Sequence, residues 1–179
     1  MTVVGELLSD SVIVWDIEQS RRLYKEGFYG KPLGIPKPRD VNFDAPLVLD
    51  LAEALYLVKK NKLKIIQSGR ELTADEFESY AASLDPGFVE KYRAYVDLRE
   101  RGFVVLPGIK FGSDFAAYRH GPGIDHAPFI IQIKGFKDKI SALEIIRSGR
   151  LATSVKKHFT VAIPAQDKVV YLMFEWWKA

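Results

Sequence analysis

The sequence predicts an α+β fold in two small domains: an α-rich N-terminal domain with a short sheet over 1–84, and a C-terminal domain with a mixed β-sheet flanked by helices over 85–179. Three observations carry this. Capped, helix-period segments dominate the first half, short apolar runs of strand character dominate the second, and Asp85-Pro86-Gly87 breaks the chain between them. With 179 residues, the chain is long enough to bury a real core.

Residues 2–15 read as two short strands around a Ser9-Asp10-Ser11 turn, the second strand carrying Val12, Ile13, Val14 and Trp15. Asp16 is placed to cap a helix through Tyr24, stopped by Gly27. The stretch GKPLGIPKPRDVNFDAP (30–46) is too interrupted for any regular element, and it is longer than most connections. From Leu47, an apolar stripe of Leu51, Leu55 and Val58 marks a helix into Lys60. Thr73 and Glu76 have capping-box spacing, so a further helix begins there and stops before Asp85.

Another helix places Phe88, Tyr92, Tyr95 and Val96 on one face and ends at Arg101-Gly102. Strand runs follow at 103–112, 114–118, 128–133, 159–163 and 168–177. Residues 138–152 read either as a helix capped by Asp138, carrying Leu143 and Ile146, or as a strand over 144–151 with Arg147 and Arg150 on opposite faces.

Composition narrows the function classes. Apolar residues make up 47% and charged residues 27%, which suits a solvated globule. There is no cysteine, so disulfides and thiolate metal sites are excluded. His120, His126 and His158 lack the helical pairing of a metal set, and no cofactor is expected. No apolar run approaches membrane-spanning length and no signal-peptide layout is seen, so a cytoplasmic protein with no membrane partner is expected. The net charge of +3 permits an anionic partner without requiring one.

The candidate reactive groups lie beyond the break. In DFAAYRHGPGIDHAPF (114–129), Tyr118 stands at a strand end and His126 just before the next strand. If those strands pair as a hairpin, both residues sit near its connecting end. SVKKHF (154–159) adds two lysines and a histidine ahead of an apolar run. Taken singly, each has an ordinary reading as a packed tyrosine, a solvated histidine or a charged face.

Taken together, KFGSDFAAYRHGPGIDHAPF (110–129) and RLATSVKKHFTVAI (150–163) resemble the catalytic domain of the archaeal tRNA-splicing endonucleases. LYKEGFYGKPLG (23–34) and LVLDLAEALYLVKKNKL (47–63) are similar to that family's "YG" segment and the helix after it, so the resemblance covers nearly the whole chain. It implies a nuclease that cuts precursor tRNA at bulge–helix–bulge sites without a metal, leaving a 2′,3′-cyclic phosphate and a 5′-hydroxyl. The family's catalytic tyrosine, histidine and lysine match Tyr118, His126 and Lys157, and its base-contacting arginine matches Arg150. A second base-clamping arginine is absent near the C-terminus, where Glu175, Trp176 and Trp177 stand.

The chemistry agrees with those residue types. Cleavage by the RNA's own 2′-hydroxyl needs a base for that proton, an acid for the leaving 5′-oxygen and positive charge on the phosphate. His126 suits the acid, with a reference pKa of about 6.5. Lys157 is a point charge for the non-bridging oxygens, while Lys156 and His158 are expected to point elsewhere. Tyr118 is left as the base, and nearby cations are expected to lower its phenol from a reference of about 10.

Two other readings compete. A non-catalytic RNA-binding subunit of the same fold would be expected to lose one of the three residues, and all three are kept. A metal-dependent restriction-type nuclease needs Asp…Glu-x-Lys spacing, which Asp114, Asp125 and Asp138 do not supply. The resemblance also implies a homotetramer or a heterotetramer with a non-catalytic subunit. The single acid of IPAQDK (163–168), Asp167, and the insertion around 35–43 favour the heterotetramer. Within the 30–46 segment, prolines 32, 36 and 38 stiffen a chain carrying Lys31, Lys37 and Arg39, and Lys37 is the expected RNA ligand.

Overall fold

In a computed structural model, which describes residues 2–35, 38 and 40–177, the chain divides into two units, residues 1–92 and 93–179. The α+β expectation is met: each unit builds a mixed sheet with helices.

In the first unit, β1 (Val3–Leu8) and β2 (Ser11–Val14) form the expected hairpin, with Leu8 opposite Ser11. Asp16 caps α1 (Ile17–Gly27), its carboxylate accepting the Gln19 amide at 2.8 Å. That helix runs past Tyr24, and the left-handed residue that ends it is Phe28, not a glycine. Such a conformation costs an L-residue about 1–2 kcal/mol. Here the Phe28 amide donates to the Tyr24 carbonyl at 2.7 Å, and the two rings meet edge to face at 5.3 Å.

Two expectations for the next segment are corrected. The Pro/Gly-rich stretch contributes a short strand, β3 (Lys31–Pro32), and residues 47–50 form β4 (Leu47–Asp50) rather than the start of a helix. Leu47 and Leu49 are both buried with less buried residues between, so the period there is two. Asp50 then caps α2 (Leu51–Lys59). Gly30 joins α1 to β3 at φ +73°, where a Cβ would lie 2.7 Å from Leu47 and 2.8 Å from the Val48 carbonyl oxygen. Its amide donates at 2.9 Å to the buried carboxylate of Glu53 on α2, which ties down the Tyr29-Gly30 segment.

Strands β5 (Leu63–Gln67) and β6 (Arg70–Leu72) complete a six-stranded sheet of order β3-β4-β2-β1-β5-β6, with β1 and β5 parallel. Val3, Val12, Val14, Leu55, Leu57, Ile65 and Phe77 are fully buried. The Thr73–Glu76 capping box opens α3 (Ala74–Leu84) as expected, and α4 (Phe88–Glu100) follows.

The second unit is a five-stranded sheet of order β11-β10-β9-β8-β7. β7 (Val104–Pro107) stops at its proline. Gly108 then lets a 3₁₀ turn, Ile109–Phe111, fold back where a Cβ would lie 2.8 Å from the Phe115 backbone. β8 (Phe115–Tyr118) and β9 (Phe129–Ile133) pair antiparallel, as the hairpin reading requires. Residues 138–152 resolve as a helix: α5 (Ala142–Ser154) is capped by Ser141, whose hydroxyl accepts the Glu144 amide at 3.1 Å. Asp138 is not its cap, because that carboxylate closes its own turn on the Gly135 amide at 2.7 Å. Through α5 the chain crosses to β10 (His158–Pro164), parallel to β9, and returns along β11 (Val169–Phe174). Ile130, Ala152, Phe159 and Val161 form the core between α5 and the sheet.

Candidate active site

The β8–β9 connection holds two of the three predicted residues. Tyr118 ends β8 opposite Val104, half-buried. Burial pushes its phenol up from the ordinary value, and the nearby Asp125 carboxylate pushes the same way. The expected lowering by cations is thus reversed, because in the free protein the charge that Tyr118 feels is a carboxylate.

Beyond Tyr118 the loop is closed by Asp125. Its carboxylate accepts the backbone amides of Arg119 at 3.0 Å, His120 at 3.2 Å and Gly121 at 2.9 Å. Burial opposes ionisation of Asp125, but the amides of Gly121, His120 and Arg119 outweigh it and hold the carboxyl below its usual range. His126 follows directly and is exposed, and Ala127 after it is buried.

Lys157 arrives at the end of the α5 crossover, just before β10. α5 ends at Val155, Lys156 takes a left-handed conformation at φ 55°, and β10 begins at His158. The single left-handed residue turns the chain so that Lys156 is exposed while Lys157 is half-buried. The Lys157 ammonium donates to the Ala127 carbonyl, next to His126, and lies 5.1 Å over the Phe111 ring. Burial pulls the Lys157 ammonium below its ordinary value; Asp125 opposes this and Lys110 adds to it. His158 turns away, toward Glu175 at 3.4 Å. Tyr118, His126 and Lys157 are therefore brought to one end of the sheet, with Asp125 among them.

Arg150 is exposed on α5, with Arg147 one turn earlier on the same side. Near the C-terminus, where a second arginine was sought, Trp176 packs against α5. The Trp176 indole donates to Thr153 Oγ1 at 3.0 Å, and a Cβ at Gly149 would lie 3.2 Å from the Trp176 ring. The signal in the sequence was a glycine inside a helical period facing a tryptophan-bearing tail. Lys37 and Arg39 lie outside the described residues. Among the described residues there is no group of three or more His, Asp or Glu that could hold a metal ion, and no helix is long and apolar enough to cross a membrane.

Comparison with known proteins identifies the family. Residues 3–78 match the family model for the tRNA intron endonuclease N-terminal domain, and residues 88–171 match that for the tRNA intron endonuclease catalytic C-terminal domain. A tRNA-splicing endonuclease from Hyperthermus butylicus is 45% identical over 96% of this chain and 97% of its own length. Those from Pyrobaculum aerophilum and Sulfurisphaera tokodaii are 44% and 41% identical, covering 97% and 98% of this chain and 98% and 99% of their own lengths.

Proposed function

The chain belongs to the tRNA intron endonuclease family and is a nuclease, and from that premise we propose that it removes introns from precursor tRNA by metal-independent cleavage at bulge–helix–bulge sites. The observation that carries the proposal is the Lys157 ammonium held on the Ala127 carbonyl, one residue from His126 and at the end of the sheet where Tyr118 emerges.

In this reading Tyr118 faces the 2′-hydroxyl and takes its proton as phenolate. The 2′-oxygen then bonds to phosphorus while the bond to the 5′-oxygen breaks. His126, protonated, supplies the proton that the 5′-oxygen needs to leave as a hydroxyl. Lys157 neutralises the non-bridging oxygens as charge accumulates on them. The products are a 2′,3′-cyclic phosphate and a 5′-hydroxyl, and every proton is accounted for without a metal. Because Tyr118 is held above its ordinary value, few molecules carry the phenolate at neutral pH, and the rate is expected to rise with pH only while His126 keeps its proton.

Arg150 presents a guanidinium plane to an extruded bulge base, and the indole of Trp176 offers a flat face on the same stretch of α5. Lys37 is proposed to contact the RNA from the 30–46 segment. The assembly is proposed to be a heterotetramer with a non-catalytic subunit, for which edge strand β11, with Leu172 and Met173 exposed, offers a pairing surface. As an RNA-processing enzyme the protein is expected to act in the cytoplasm.

The test is cleavage of a bulge–helix–bulge RNA in excess chelator, by the purified chain alone and with its candidate second subunit. The expected result is undiminished cutting with cyclic-phosphate and 5′-hydroxyl ends. Loss of cutting in chelator that added magnesium restores, or 5′-phosphate ends, would overturn the mechanism.

A further inference from the structure

Asp125 has no part in the proton transfers above, yet it is bonded throughout the loop that joins Tyr118 to His126. Its Oδ2 accepts the amides of Arg119 and His120 and its Oδ1 that of Gly121, the three residues that follow Tyr118. Its own amide donates to the Gly121 carbonyl at 3.1 Å, so the loop is cross-linked in both directions. On its C-terminal side come His126 and then Ala127, whose carbonyl holds Lys157.

We propose that Asp125 is a positioning residue for RNA cleavage, binding the end of β8 to the His126–Ala127 segment so that Tyr118, His126 and Lys157 keep one arrangement. The proposal rests on the reading of those three residues given above.

A negative group beside a phosphate-binding site is unfavourable in itself, since it repels the substrate. Backbone amides at three positions offset that by taking up its charge locally, as they do for phosphate in other loops. What remains of the field acts on its neighbours. Asp125 favours the protonated phenol of Tyr118 and the protonated ammonium of Lys157. The other charged groups facing this cluster are His120, which stabilises the Asp125 carboxylate, and Lys110, which disfavours the Lys157 ammonium.

Asparagine and alanine at position 125 separate charge from geometry. Asparagine keeps one acceptor oxygen and therefore part of the amide bonding, but it removes the charge; alanine removes both. Single-turnover rates are to be measured between about pH 5 and 10, together with the affinity for an uncleavable RNA carrying a 2′-deoxy nucleotide at the scissile position. Asp125→Asn is expected to slow cleavage by about tenfold and Asp125→Ala by about 100-fold, each with affinity changed less than about threefold.

The pH profile distinguishes positioning from mere loop stability. Without the carboxylate, Tyr118 and Lys157 both titrate lower. In Asp125→Asn, the alkaline fall of the profile, which the phenol and the ammonium set once His126 must also stay protonated, should therefore move to lower pH. A loop-stability role alone would leave that fall where it is. Parental rates and an unmoved profile in Asp125→Asn, or a loss in Asp125→Ala carried wholly by affinity, would overturn the inference. His126→Ala is run beside them. If it is inactive while Asp125→Asn is parental, only the inference on Asp125 fails; if His126→Ala cuts at the parental rate, the reading of the site itself has failed.

Discussion

The ion pairs of the N-terminal unit and the charges around the β8–β9 loop are partnered in opposite ways. In the N-terminal unit charged side chains meet one another: Lys59 with Glu78 at 2.6 Å, Arg70 with Glu76 at 2.7 Å, Lys91 with Asp85 at 2.6 Å and Lys64 with Glu71 at 3.1 Å. Around the β8–β9 loop they meet backbone instead. Lys157 is held by a carbonyl and Asp125 by three amides. An ion pair cancels its own field, whereas an ammonium on a carbonyl remains a net positive charge that an arriving phosphate can feel. The pairs of the first unit cancel their fields, and the groups around the β8–β9 loop keep theirs.

The sharpest way to break this contrast is at His126. His126→Ala is expected to lower the single-turnover rate by about 10²–10⁴-fold with RNA affinity retained, while His120→Ala, which keeps the backbone amide bonded to Asp125, changes it little. Equal rates for the two variants would remove His126 from the chemistry. The two lysines come next. Lys157→Ala should cost about 10²-fold, the scale of losing one charge-stabilising donor, and exposed Lys156→Ala far less. Equal rates and equal salt slopes would reduce both to a solvated face.

The smallest effect belongs to the other unit. Thr73→Ala should lower stability in denaturant unfolding by about 1 kcal/mol and leave the cleavage rate unchanged. Within the same capping box, the Thr73 amide, then Arg70 and the Thr73 hydroxyl, lower the Glu76 carboxyl from 4.5 to about 2. Its contribution to stability is therefore full above pH 4.5 and lost as pH falls toward about 2, and Glu76→Gln should flatten that acid limb. A rate change in Thr73→Ala would mean that the ion-paired unit also serves the chemistry.

Much of this was legible in the sequence where one local signal decides. Asp16, Thr73 and Glu76 mark helix starts because the cap is a bond between near neighbours. The segment 47–50 was misread because Leu47, Leu51 and Leu55 also fit a helical period, and only pairing with β2 and β3 selects a strand. β5 and β6 escaped notice because Lys64, Arg70 and Glu71 interrupt their apolar pattern, and their turn uses Ser68 as well as Gly69 at positive φ. At the site, the family resemblance singled out Tyr118, His126 and Lys157, and the pairing of β8, β9 and β10 brings them to one end of the sheet. The raised phenol of Tyr118 was hidden because it depends on burial and on a carboxylate that the fold brings back beside it.

The parallel pairing of β9 with β10 has a consequence for how the protein comes to be. Parallel neighbours cannot be joined by a tight turn, and α5 is the bridge that lets Lys157 reach the Ala127 carbonyl thirty residues before it. Closing such a crossover is among the slower steps of folding, since the chain entropy is lost before the strand pairing compensates for it. Tyr118 and His126 can meet early through a local hairpin, but the lysine is delivered only when the crossover docks. That crossover is also the helix that carries Arg150. On the proposed assignment of these residues, a nascent or half-folded chain holds an incomplete set of reactive groups, and cutting power and the means of selecting where to cut are born in the same event.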